Sequence, residues 1–119
     1  MARFLLVLQP PGGSTPQDLL DGLHPLLEAL QAEVDHRTPA HLSALLKGAA
    51  ASQRMQLFAD VQAKAEGPVL ELVLLSREAM VTGAPATSRT FRQLVSLAAQ
   101  YLGHCQLAFR SDRDGALQV

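Results

Sequence analysis

Residues 54–75 read RMQLFADVQAKAEGPVLELVLL, and the fold turns on how this stretch is read. From Met55 the residues Met55, Leu57, Ala59, Val61 and Ala63 alternate with Arg54, Gln56, Phe58, Asp60, Gln62 and Lys64, a period of two broken only by Phe58. A period of two sends alternate side chains to opposite faces of a sheet, so 54–64 is read as a half-buried strand. The competing reading is a helix from Ser52 to Glu66 ended by Gly67-Pro68, because Leu57, Phe58 and Val61 also satisfy helical spacing. After the turn, 69–75 is apolar on both faces apart from Glu71, as a central strand is. A four-residue loop, 65–68, then pairs Lys64 with Val69 and sets Val61 opposite Leu72 and Ala59 opposite Leu74.

Working outward, 3–9 is a continuous apolar run closed by Pro10-Pro11-Gly12-Gly13, the pattern of a first buried strand ended by turn residues. Thr15-Pro16-Gln17-Asp18 supplies a capping hydroxyl, a proline at the first helical position and an acid at the capping-box position. The stripe Leu19, Leu23, Leu26, Leu27 and Leu30 carries that helix to about Glu33, with a kink or restart near 22–24 forced by Pro25. A second Thr-Pro, at Thr38-Pro39, precedes Leu42, Leu45 and Leu46, which predicts a short second helix capped by Gly48.

Residues 77–86 read as a loop. Thr87 or Ser88 then caps a helix with the stripe Phe91, Leu94, Val95, Ala98 and Leu102, stopped at Gly103. An edge strand at 104–110 sets Cys105, Leu107 and Phe109 on one side, and 111–115 make a turn. Ala116 to Val119 read as a short extra strand or a frayed tail. The order strand, helix, strand, strand, helix, strand predicts one α+β domain over 1–119. Its expected form is a ferredoxin-like βαββαβ sandwich, a four-stranded antiparallel sheet in the order 4-1-3-2 with helices on one face. Strands one and three are then central, and the alternating ones lie at the edges.

Composition narrows function mainly by exclusion. Ten basic and eleven acidic residues leave a net charge of −1 with no block of like charge, and there is no Trp and one Tyr, so neither nucleic acid nor a membrane surface is implied as partner. The run Phe4–Leu8 is too short for a signal-peptide core or a membrane span, and the single cysteine, Cys105, fits a reducing, cytoplasmic setting. The histidines His24, His36, His41 and His104 offer no metal spacing, and no cofactor motif is present. Asp112-Arg113-Asp114-Gly115 opens like a calcium loop, but the chain ends before the twelfth position, and it is read as a turn. Gly12-Gly13-Ser14-Thr15 precedes a helix but lacks the lysine of a phosphate loop.

Three sets of residues remain. Glu71, alone in an apolar strand, is the one candidate general base, with His104 or Arg110 at the rim; a solvated glutamate paired with Lys64, Arg54 or Arg110 is the plainer explanation. Arg77, Arg89 and Arg92 gather near the start of the last helix, where positive charge opposes the dipole, and form a candidate anion site; arginines reaching to Glu78 explain them equally well. Leu5, Val7, Phe58, Val73 and Leu75 fall on the sheet face away from the helices, an apolar patch that asks for a cover. The resulting expectation is a non-enzymatic homodimeric binding or protein-interaction module. The alternative is a cofactor-independent enzyme whose small-molecule cavity lies between the sheets of a dimer.

Overall fold

The computed structural model describes residues 1–46 and 54–114. Its elements in chain order are β1 (Ala2–Gln9), α1 (Pro16–Asp21), α2 (His24–Ala29), β2 (Ala32–Arg37), β3 (His41–Leu46), β4 (Met55–Lys64), β5 (Gly67–Ser76), α3 (Pro85–Tyr101), β6 (Gln106–Arg110) and α4 (Ser111–Asp114), with a 3-10 turn at Met80–Thr82. The strands form one six-stranded sheet in the order β2-β3-β4-β5-β1-β6, every neighbouring pair antiparallel. The expected four-stranded ferredoxin-like sandwich is therefore corrected. The sheet gains a β2-β3 hairpin beyond β4, so β4, expected at an edge, is internal.

The correction comes from 32–46. Thr38-Pro39 does not start a helix: the Thr38 N–H donates to the His41 carbonyl at 2.8 Å, closing a tight turn with Pro39 second, where its fixed φ suits a turn as well as a helix start. From there Leu42, Ala44 and Leu46 point to the core at period two, all buried. The Gly48 cap expected for that helix lies outside the described residues. The first helix also ends earlier than Glu33: it breaks at Gly22-Leu23, with Pro25 in the first turn of α2, and stops where Gln31 takes a positive φ of 54°.

Residues 55–64 are strand, against the helical reading. The hairpin to β5 pairs Lys64 with Gly67, Val61 with Leu70 and Ala59 with Leu72, two residues away from the expected register. A slip of two keeps every side chain on its expected face. The loop shrinks to Ala65-Glu66 because Gly67 itself joins the ladder at a φ of 121°, which only a residue without Cβ adopts at little cost.

One face of the sheet carries the core. Phe4, Leu6 and Leu8 of β1, Leu57 and Ala59 of β4 and Leu70, Leu72 and Leu74 of β5 are all buried against Leu20, Leu23, Leu26, Phe91 and Leu94 of the helices. Phe91 stacks on Phe4 with ring centroids 5.2 Å apart. α3 starts at Pro85, earlier than the expected caps Thr87 and Ser88. β6 is irregular. Between Val7 and Leu8 the register shifts, so Phe109 pairs with Val7 and Leu107 with Leu8, and the two lie on opposite faces instead of together. Residues 111–114, expected as part of a turn, form the short α4; Gly115 and 116–119 lie outside the described residues. Among the described residues no helix is long and apolar enough to cross a membrane.

Candidate functional site

The second face of the sheet is the candidate site. Its side chains follow from the odd positions of β1, β3 and β5 and the even positions of β4, and the register arranges them in rows across the strands. One row runs Arg3, Leu75, Gln56, Leu45. The next runs Leu5, Val73, Phe58, Ser43, and the third runs Phe109, Val7, Glu71, Asp60, His41. Val7, Phe58, Val73 and Leu75 are each only partly buried, unlike their neighbours on the core face, while Leu5 lies at 9% exposure beside α4, its N–H donating to the Ser111 hydroxyl at 2.9 Å. The five residues singled out for this face thus lie in adjacent rows of a single surface.

Charge on the face is segregated. Glu71 stands directly opposite Asp60, a like-charged pair that weakens a ladder. Asp60 accepts from His41 Nδ1 at 2.6 Å, and the His41 ring stacks on Phe58 at 6.2 Å and sits 6.0 Å from that of His36. Glu71 has no ion pair among the described residues. At the opposite end, one step past the Met55–Ser76 pair, Arg54 and Arg77 line a concavity of about 540 Å³ together with Met1, Leu45, Gln56 and Leu75. Neither arginine has a carboxylate partner among the described residues.

Arg77 belongs to the concavity just described, Arg89 lies near Glu78, and Arg92 lies near Asp112. The anion at the start of α3 is supplied by the chain: Glu78 accepts from the Thr87 hydroxyl and N–H at 2.7 Å each and from the Ala86 N–H at 3.1 Å. The Thr87 hydroxyl above all, then those N–H groups and the charge of Arg89, outweigh partial burial and hold the Glu78 carboxyl below its ordinary range. Sequence reading placed the cap on Thr87 or Ser88; the signal missed is a glutamate entering the loop nine residues before Thr87. Arg110, expected at the rim of an enzymatic site, grips Asp112 through two bonds of 2.7 and 2.8 Å, which lowers the Asp112 pKa.

His104 is exposed in the turn before β6, on a different element from Glu71, and pairs with no carboxylate among the described residues. Among the described residues no group of three His, Cys, Asp or Glu side chains is arranged to hold a metal ion. A second concavity, about 230 Å³, opens between α3 and the β1-β6 edge, lined by Leu6, Leu8, Val95, Ala98, Leu102 and Leu107 among others; Cys105 lies on its wall, its thiol pKa pushed up by burial. Comparison with protein-family models, with curated proteins and with solved structures gave no match, so the role of these features rests on their chemistry.

Proposed function

We propose that the chain is a non-enzymatic interaction module that works as a homodimer, with the open face of the six-stranded sheet as its contact surface. The observation that carries this is the apolar centre of that face: Val7, Phe58, Val73 and Leu75 are partly exposed in one patch on the side opposite the core helices. An aqueous monomer gains from covering such a patch. A second copy is the occupant that fits the size. Six strands about 4.8 Å apart, with β1 running about 27 Å, give a face of up to roughly 800 Å², the area each partner contributes to a standard stable interface. Two such sheets pack about 10 Å apart with their inner side chains interdigitated.

The test is sedimentation velocity of the wild type beside Val73→Lys and Phe58→Lys. A lysine at either position leaves the helix-covered core intact and adds a charge that a dry interface cannot hold. The proposal expects a dimeric wild type and two folded, monomeric variants. Variants that dimerise as well as the wild type would move the contact off this face.

A further inference from the structure

We infer that the two copies meet in one particular orientation, related by a two-fold axis that runs across the strands above the Leu57–Leu74 pair, so that Arg77 and Arg54 of each copy bind the partner's Glu71 and the partner's Asp60. The inference rests on the homodimer reading and adds to it the pairing that closes the interface. Arg77 lies six residues from Glu71, just past the end of β5, and Arg54 six residues from Asp60, just before β4, and both arginines line the concavity shared with Leu75, Gln56 and Leu45 of the open face. Six residues of strand span about 20 Å, so neither pair can close within one chain. Glu71, Arg54 and Arg77 have no opposite-charge partner among the described residues, and Glu71 faces Asp60, like on like.

Turning a second copy end for end over the face removes this conflict. The midpoint between residues 77 and 71 is Leu74, and that between 54 and 60 is Leu57; these two residues are register partners, so one axis serves both pairs. The same rotation lays Leu75 against the partner's Val73 and Gln56 against the partner's Phe58. β4 and β5 are the two middle strands of six, where the twist between packed sheets displaces positions least. The alternative aligned two-fold, with its axis parallel to the strands, sets Arg54 against the partner's Arg77 and Asp60 against the partner's Glu71. Like charges desolvated against each other penalise that orientation.

The experiment is a charge-swap cross. Glu71→Arg and Arg77→Glu are purified separately, checked for wild-type circular dichroism, and studied by sedimentation alone and as an equimolar mixture. In the inferred orientation each variant repels its own copy at both equivalent contacts, weakening self-association by at least about tenfold, while the mixture makes two opposite-charge contacts and recovers the dimer. Asp60→Arg with Arg54→Glu repeats the cross on β4 should a β5 variant misfold. A dimeric wild type whose crossed mixtures associate no better than the separate variants would overturn the orientation and leave the homodimer standing. A monomeric wild type would overturn both.

Discussion

Leu72 and Val73 are neighbours on β5 that face opposite ways, and substituting each by alanine separates the core from the open face. Leu72 is fully buried, opposite Leu6 on β1 and Ala59 on β4. Removing its side chain from a site walled by two strands leaves a cavity, and Leu72→Ala is expected to cost about 3 kcal/mol, within the 2–5 kcal/mol of such truncations. At about 2.1 cal/mol/K per residue over 119 residues the unfolding entropy is roughly 250 cal/mol/K, which makes that cost a fall in Tm of about 12 °C. Val73 is only partly covered within its own chain, so Val73→Ala is expected to cost under about 1 kcal/mol in the monomer. Urea melts at two protein concentrations give the assay. The Leu72→Ala cost should hold across about a hundredfold dilution, whereas the Val73→Ala cost should shrink, because the dimer that buries Val73 dissociates. Equal and concentration-independent costs at the two positions would refute the division into a covered and an open face.

Other consequences follow from single contacts. Because the folded Glu78 carboxyl titrates below its ordinary range, its contribution is present above the unfolded-state pKa and is lost as pH falls through the folded value; Glu78→Gln should lower Tm at neutral pH and lose that effect in acid, as thermal melts from pH 7 to pH 2 would show, and an equal deficit at both ends would contradict the capping role. Gln31 is exposed at a φ of 54° between α2 and β2; Gln31→Gly should therefore stabilise by about 0.5–1 kcal/mol in urea melts, since glycine takes that conformation without strain, and a loss of stability would contradict this. Burial raises the pKa of the Cys105 thiol, so its reaction with a disulfide reagent at pH 8 should be slower than that of free cysteine and speed up on unfolding; equal rates before and after unfolding would show a thiol open to solvent.

What could be read from the residues depended on whether a segment packs on the core. β1 and β5 announce themselves as continuous apolar runs, β4 as a period of two, and α3 by the stripe Phe91, Leu94 and Ala98, because each buries a face against the core. The hairpin of β2 and β3 did not. β2 reads AEVDHR and is exposed along nearly all of its length, so it carries no periodic apolar signal. In β3 the small Ala44 holds the middle core position, which left Leu42, Leu45 and Leu46 to imitate helical spacing. Thr-Pro was ambiguous for a physical reason. At Thr15 the hydroxyl accepts the Asp18 N–H and starts a helix, whereas at Thr38 the backbone closes a turn onto His41. The apolar patch was legible because a two-residue register slip keeps faces unchanged; the segregation of Arg54 and Arg77 from Asp60 and Glu71 along it was not, since it depends on the register itself.

The central claim, that the open face is covered by a second copy, is tested most directly by native mass spectrometry of the purified chain at low micromolar concentration. A species of twice the 12.8 kDa chain mass, with no added ligand mass, is the expected result. A spectrum holding only the 12.8 kDa chain would contradict it.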